Sequence, residues 1–306
     1  MTTATLDRTL TTTRTDIYTR VTSKIIEDLE QGVRPWMKPW NAEYAAGWIT
    51  RPLRHNGQAY KGINILMLWA SAELQGFACP FWLTFQQARE FGGHVRKGEH
   101  GSPVVFASTF KKKDSTDDGQ EVEAEIPFLK EYTVFNAEQC DGLPQHFTAP
   151  AEPPKETLQR IEHAEAFFAN TKADIRYGGN RAYYQITTDF VRLPPFETFR
   201  DAESHAATLA HELTHWTRHP SRLNRDLGRK SWGDQGYAAE ELVAELGSAF
   251  LCADLNITPE VRDDHASYLD CWLKVLKQDK RAIFTAASHA TKAVDFLHGL
   301  QPQPTA

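Results

Sequence analysis

Cysteine is scarce in this sequence of 306 residues. The four cysteines, Cys79, Cys140, Cys252 and Cys271, are far apart and form no CxxC pair. This distribution excludes a disulfide framework and a zinc site built from cysteine. Any metal ion would therefore need histidine and carboxylate ligands.

Long apolar segments are missing as well. No run of about 18 apolar residues occurs, so the sequence predicts no transmembrane helix. Residues 1–16 are mostly polar, which is not typical of a secretory signal. We therefore expect a cytoplasmic protein without a membrane partner.

The net charge of −6 is distributed unevenly along the chain. Residues 1–113 contain 15 lysines and arginines against 9 acidic residues, whereas residues 114–141 contain 9 acidic residues and Lys130 as the one base. A basic front segment favours a nucleic-acid partner, although the net charge alone argues against one. An acidic insert follows it.

The pattern HELTH at residues 211–215 is the strongest chemical signal in the sequence. Asp201 and Ser204 are candidate N-caps and Pro220 ends the segment, so a helix is predicted there. On a helix, His211 and His215 lie on one face and can reach the same divalent ion. Glu212 lies beside them and can take a proton from the attacking water. The alternative is a surface helix with two solvated histidines.

A catalytic metal usually has three protein ligands, and a second predicted helix at residues 237–250 offers the third. Glu241 and Glu245 share one face of this helix with small residues, opposite its apolar stripe. Glu240 is rotated by about 100° and falls off that face. We predict Glu241 as the ligand and Glu245 as a hydrogen-bond acceptor for a ligating histidine. Glu245 as the ligand and a merely solvated acidic face are the alternatives.

The basic front of the chain also contains five of the eight tryptophans. Pro35 and Pro39 exclude a helix and favour an extended segment. Aromatic residues interleaved with cations suit single-stranded DNA, because bases stack on the rings while cations neutralise the phosphates. Burial of the tryptophans in a core is the alternative. The candidate DNA-binding residues are Arg34, Trp36, Lys38, Trp40, Trp48, Arg51, Arg54, Tyr60, Lys61, Arg96 and Lys97.

The pattern of apolar and turn residues predicts an α+β front domain at residues 1–142. A hairpin is predicted at residues 95–106 with its turn at Lys97-Gly98 and Gly101, followed by a polar loop that opens at residues 111–113. The remaining predicted elements are helices at residues 17–31, 62–70 and 84–91 and a strand at 127–136.

A proline-rich segment at residues 143–157 predicts a stiff linker, and the back domain follows at 158–306. Its predicted elements before the HELTH helix are a helix at residues 158–170 and two strands, 174–177 and 182–193, on either side of Gly178-Gly179-Asn180. A strand that precedes such a helix commonly borders the cleft of a metallopeptidase, where its free edge can pair with a peptide.

Both halves resemble one family. HELTHW, a following RLNR and GYAAEELVAEL are similar to the zinc metallopeptidase domain of ArdC-type antirestriction proteins of mobile plasmids. PWMKPW, YKGINILMLW and GGHVRKGEHG are similar to the N-terminal single-stranded-DNA-binding domain of the same family. The resemblance covers residues 16–298. It implies a small α+β DNA-binding domain followed by a gluzincin-like, mainly helical metallopeptidase domain with a short sheet.

The resemblance also implies a function, which is to protect incoming plasmid DNA from host restriction during conjugation. It implies Zn²⁺, or another divalent ion such as Mn²⁺, held by His211, His215 and Glu241. Restriction enzymes or other DNA-bound proteins are the expected substrates. The alternative is a DNA-coating or restriction-enzyme-blocking factor whose metal site is structural or vestigial. Candidate donors to the oxyanion of amide hydrolysis are Tyr183, Tyr184, Tyr237 and His219.

Overall fold

The structure, a computed structural model, describes residues 16–37, 50–115, 121–148, 157–228, 235–258 and 265–302. Helices alternate with strands in the front half of the chain, and helices dominate the back half, so the predicted α+β class is confirmed. Among the helices in these ranges, none is long and apolar enough to cross a bilayer.

Local sequence explains the helices of the front half. The elements of this half are α1 (Ile17–Glu30), β1 (Leu53–Arg54), α2 (Ile63–Gln75), β2 (Phe81–Leu83), α3 (Phe85–Glu90), β3 (His94–Val95), β4 (Ser102–Ser115), β5 (Glu121–Asn136), β6 (Cys140–Asp141) and α4 (Gln145–Thr148). The apolar stripe of α1, which includes Ile25 and Leu29, is buried. Helix α2 ends at Gly76, whose φ of 72° suits glycine. Helix α3 begins with a capping box between Thr84 and Gln87.

The strands of the front half form a four-stranded sheet in the order β1-β2-β5-β4 and a small β3-β6 pair. The predicted hairpin across Lys97-Gly98 is wrong, because the residues on its two sides pair with different strands. Strand β3 pairs with β6, whereas β4 begins at Ser102 and pairs with β5. Gly101 permits the close approach of these strands, since a Cβ there would lie 2.3 Å from Cγ2 of Thr133.

Strand β4 is longer than the sequence predicted. It runs through residues 111–113, which were assigned to a loop on their polar composition, and β5 also begins earlier than predicted. The register places Lys111 opposite Glu125 and Lys113 opposite Glu123. The end of the basic segment and the acidic insert are therefore partners in one antiparallel ribbon.

The back half contains a three-stranded sheet beneath a group of helices. Its elements are α5 (Thr157–Asn170), β7 (Asp174–Tyr177), β8 (Tyr183–Gln185), β9 (Phe190–Leu193), α6 (Ala202–Trp216), α7 (Gln235–Leu255), α8 (His265–Gln278) and α9 (Ala282–Gly299). The predicted strand at residues 182–193 is divided into β8 and β9 by a turn that ends at Asp189, where φ is 51°. Strand β9 lies in the middle, parallel to β7 and antiparallel to β8.

One apolar core crosses from the front half to the back half. Helix α1 packs against α8, and α2 packs against α9. Leu29 and Trp36 belong to the same buried cluster as Trp272. The first residues of the predicted linker pack with the front half, since Phe147 is completely buried in a small cluster there. The remainder of that linker, residues 149–156, lies outside the described residues.

Candidate metal centre

Helices α6 and α7 carry the predicted metal ligands and approach each other closely. The side chain of Asp201 accepts a hydrogen bond from the backbone N–H of Ser204, so of the two candidate N-caps of α6 Asp201 is the one that caps the helix. Gly247 on α7 faces Thr214 on α6, and a Cβ at Gly247 would lie 2.5 Å from Cγ2 of Thr214. The missing side chain at this position allows the backbones of the two helices to come together.

The side chains of His211, His215 and Glu241 converge between these helices. One ligand atom from each lies within 4.8 Å of the others, and Nε2 of both histidines is 3.6 Å from Oε2 of Glu241. All three residues are buried. Two imidazole nitrogens and one carboxylate oxygen are a donor set typical of catalytic zinc, which leaves a coordination position for water or substrate. The residues present therefore fit a divalent ion.

The protonation of this cluster is set by its carboxylates. Burial disfavours the charged form of His215, but Glu241 and Glu240 outweigh burial and raise the pKa of this imidazole to about 10. Burial also opposes ionisation of Glu241, but the two histidines hold its pKa well below the usual range. A metal ion must displace the imidazole proton, so metal binding here is accompanied by proton release.

Each histidine is held by a second carboxylate at its other ring nitrogen. Nδ1 of His211 lies 3.3 Å from Oε1 of Glu245, in the arrangement that the sequence predicted for Glu245. Nδ1 of His215 lies 3.1 Å from Oε1 of Glu240, a contact that the sequence did not predict. These contacts orient the two Nε2 atoms towards Glu241. The sequence did not predict a role for Glu240, because this residue lies outside the helix face shared by Glu241 and Glu245. Its carboxylate nevertheless reaches Nδ1 of His215, the ring nitrogen that points away from Glu241.

Glu240 in turn is neutralised by Arg225. The guanidinium of Arg225 donates to both carboxylate oxygens of Glu240, at 2.8 and 2.7 Å, and to the backbone oxygen of Thr214 at 3.0 Å. Burial opposes the charge on Glu240, but the hydrogen bonds from Arg225 and His215 lower its pKa to about 2. A buried chain of alternating charges thus lies behind His215, the second candidate metal ligand on α6.

Glu212 is buried next to His211 on α6. Among the four candidate oxyanion donors, Tyr237 is the one beside the centre, on α7 with Glu241; burial and then this neighbouring carboxylate raise the pKa of its hydroxyl. Its hydroxyl is 2.8 Å from that of Tyr268. The other three candidates have their contacts elsewhere: Tyr183 packs on Phe190, Tyr184 donates to Asp189, and His219 pairs with Ser221.

Most of the predicted DNA-binding residues have other partners. Trp36 is 0% exposed and Tyr60 is buried, so core burial is the correct interpretation for both. Side chains with a partner in the fold are Arg34 beside Glu245, Arg51 on Asp254, Lys61 on Asp295, and Arg96 on Glu99 and Asp141. Arg54, which lies over the ring of Tyr60, and Lys97 are exposed. Lys38, Trp40 and Trp48 lie outside the described residues.

The sequence did not single out an aromatic pair on the surface of the front half. Phe106 on β4 is 52% exposed and Tyr132 on β5 is 40% exposed, and their ring centroids are 6.4 Å apart. The amine of Lys130 lies 5.0 Å from the centre of the Tyr132 ring. The alternation of side chains along the two paired strands could have predicted this pair, because it places the three residues on one face of the sheet. We call Phe106, Lys130 and Tyr132 the aromatic surface.

Both halves of the chain match known families. Residues 162–289 match the family described as zincin-like metallopeptidase. Residues 15–135 match the N-terminal domain of anti-restriction factor ArdC. The described part of the metal centre lies within the first of these segments, and the aromatic surface lies within the second.

Similar sequences are found among bacterial proteins. An uncharacterised protein, y4eC of Sinorhizobium fredii (strain NBRC 101917 / NGR234), is 44% identical over 258 residues, which are 83% of this chain and 82% of that protein. DNA primase TraC of Escherichia coli is 40% identical over 256 residues, 79% of this chain but only 23% of the primase. The chain thus spans less than a quarter of that relative.

Two solved structures of the antirestriction protein ArdC from plasmid R388 are similar over nearly the whole chain. The metal-free structure is 46% identical, with a TM-score of 0.78 and coverage of 93% of this chain and 97% of that one. The Mn(II)-bound structure is 44% identical, with a TM-score of 0.74 and coverage of 93% and 98%.

Fold and site together define a zincin-like metallopeptidase domain that follows an antirestriction N-terminal domain. The chain belongs to the ArdC antirestriction family. The convergence of two histidines and a glutamate is consistent with the divalent metal that this domain class implies.

Proposed function

We propose that this protein is a zinc-dependent peptidase that binds single-stranded DNA and helps plasmid DNA to escape restriction. The main support for peptidase activity is that the side chains of His211, His215 and Glu241 converge on one buried, preoriented site. Glu240 and Glu245 support the histidines from behind, as expected of a site that holds its ligands ready for a metal. Mn²⁺ would satisfy the same donor set.

The chemistry follows from the position of Glu212 and of the neighbouring strand. When bound, Zn²⁺ supplies the Lewis acidity that activates water and polarises the scissile carbonyl. Glu212 accepts the proton of the attacking water and delivers it to the leaving nitrogen. Tyr237 is the best placed of the candidate donors to the developing oxyanion. Strand β8 has one partner, β9, in the described sheet, so its other edge is suited to pair with an extended peptide.

The test of this role is Glu212→Ala, with Glu212→Gln as the variant that preserves side-chain volume. Both variants should bind Zn²⁺ nearly as tightly as the wild type and should lose hydrolysis by about 100-fold or more. The measurement is the appearance of new peptide ends in a host-cell extract, with and without single-stranded DNA. Cleavage by Glu212→Ala at the wild-type rate would reject Glu212 as the base.

The aromatic surface supports the proposal of single-stranded DNA binding. Phe106 and Tyr132 present rings to solvent, and Lys130 adds a cation beside them. Rings of this kind stack on bases of any sequence, and the cation neutralises a phosphate. Because Trp36 and Tyr60 are buried, this surface is a better candidate for base stacking than they are.

The stacking and phosphate contributions can be separated by fluorescence anisotropy with an unstructured oligonucleotide. Replacing both Phe106 and Tyr132 by alanine should weaken binding by roughly 5- to 100-fold without a change in salt dependence. Lys130→Gln should instead reduce the slope of log K against log salt by about 0.7. Phe85→Ala, an exposed aromatic on α3, is the matched control and should bind normally.

A non-proteolytic blocking factor is the second candidate function. It is favoured by the ribbon of β4 and β5, in which an acidic segment of strand could compete for the DNA-binding surface of a restriction enzyme. Protection of incoming plasmid DNA by the Glu212→Ala variant distinguishes the two functions. Full protection supports blocking, whereas lost protection by a variant that still binds metal and DNA supports proteolysis.

A further inference from the structure

Arg34 belongs to the front half but lies at the edge of the metal centre. It follows α1 in the chain, and its side chain is only 13% exposed. Nη1 of Arg34 is 4.0 Å from Oε2 of Glu245, and the other oxygen of that carboxylate is 3.3 Å from Nδ1 of His211. Glu245 therefore bridges a cation from the front half and a metal ligand from the back half.

A second line of contacts leads from the same segment to another ligand. The ring of Trp36 packs edge-on against Trp272 at 5.6 Å, and Trp272 stacks on Tyr268 at 6.1 Å. The hydroxyl of Tyr268 is hydrogen-bonded to that of Tyr237, and Tyr237 lies beside Glu241. The two series of contacts begin at Arg34 and Trp36, two positions apart in the chain. The first ends at His211 and the second at Glu241.

We propose that Arg34 is a positioning residue of the metal centre, so that the front half of the chain sets the metal affinity of the back half. The inference rests on the metal site proposed above. The terminal torsion of a carboxylate side chain is broad and weakly restrained, and a contact to each of its two oxygens narrows the range of orientations. With one oxygen attracted by Arg34 and the other facing Nδ1 of His211, the carboxylate of Glu245 is held in one orientation.

The orientation of Glu245 matters because it determines which nitrogen of His211 faces the metal. When Glu245 accepts the Nδ1–H hydrogen bond, Nε2 carries the lone pair and is directed towards Glu241. Loss of such outer contacts typically weakens metal affinity by about 10- to 100-fold. Arg34→Met, which removes the charge and keeps an apolar stem, should have an effect of this size.

The experiment measures Zn²⁺ affinity of the full chain by competition with a chromogenic chelator. Arg34→Met should bind roughly 10- to 100-fold more weakly than the wild type, and Arg34→Lys should recover part of the loss. Arg96→Met is the control, since Arg96 is an exposed front-half arginine with carboxylate partners, and it should bind normally. Arg34→Gln replaces Arg34→Met with the same expectation if that variant does not fold.

A double-mutant cycle separates positioning from general destabilisation. If Arg34 acts through Glu245, Arg34→Met should have little further effect in a Glu245→Gln chain. Wild-type affinity in Arg34→Met, or an equal loss in both backgrounds, would overturn the inference. Failure of the wild-type chain itself to take up Zn²⁺ would instead overturn the proposed metal site, so the two failures are distinguishable.

Discussion

The charged groups behind the candidate metal centre of the back half are placed differently from those on the surface of the front half. In the back half, Arg225, Glu240 and Glu245 are buried and contact one another or the metal-ligand histidines. In the front half, pairs such as Arg96 with Glu99 lie at the surface. A buried charge must have a complete set of partners, whereas a surface charge is solvated with or without one. The side chains of the candidate metal centre are therefore held by buried ion pairs, whereas the charged pairs on the front surface remain in contact with solvent.

The sharpest test of this comparison replaces one arginine in each half. Arg225→Met leaves Glu240 buried without its cation and should lower the free energy of unfolding by about 3–5 kcal/mol. Arg96→Met, at a solvated pair, should change it by less than about 1 kcal/mol. Urea denaturation of both variants gives the two values. Similar losses in the two variants would break the comparison.

The junction between the halves should be nearly as sensitive as the buried charges. Trp36 is completely buried against Trp272, so Trp36→Ala should cost about 3–5 kcal/mol through lost burial and a cavity. Leu74→Ala, at an exposed side chain on α2, is the control and should change stability by less than about 0.5 kcal/mol. If the Trp36→Ala protein had normal stability but bound DNA more weakly, Trp36 would be a DNA-binding residue rather than a core residue.

A smaller loss is expected where α6 and α7 touch. Gly247→Ala introduces a methyl group into the space of Thr214 and should cost about 1–3 kcal/mol. Adding Thr214→Ser, which removes the nearest methyl, should recover part of that loss. Gly299→Ala, where nothing lies within 4 Å, is the control. Thermal unfolding of the three variants tests whether the helices lie as close as described.

The smallest effect is expected at a half-exposed pair and depends on pH. Hydrogen bonds from Arg222 hold the pKa of Asp189 below its usual value. The folded state therefore gains stability from ionised Asp189 at neutral pH, and this gain begins to shrink at about pH 4 and is lost as the pH falls through the lowered pKa of the folded state. Asp189→Asn should cost less than about 1 kcal/mol at pH 7, and the cost should decrease steadily as the pH is lowered below about 4. If the loss of stability in Asp189→Asn were the same at every pH, it would arise from packing and not from the charge of Asp189.

The convergence of the three candidate metal ligands could be predicted, because their spacing belongs to single helices. His211 and His215 are one turn apart, and the face of α7 that carries Glu241 follows from helical periodicity. Glu240 was not predicted, since its role depends on Arg225, fifteen positions away along the chain. The burial of Trp36 depends on its contact with Trp272 in the last third of the chain, and this contact cannot be predicted from the composition of the front segment. The hairpin at residues 95–106 failed for the same reason, because the partner of β3 is β6.

The apolar core that runs through both halves has a consequence for how this protein can be dissected. Residues 157–302 expressed alone would present Trp272 and the α1- and α2-facing sides of α8 and α9 to water. Such a fragment would carry every metal ligand and still be prone to aggregation, because a large apolar patch would lack its cover. The zincin-like segment and the N-terminal segment therefore share one buried core, and we expect neither to fold normally without the other.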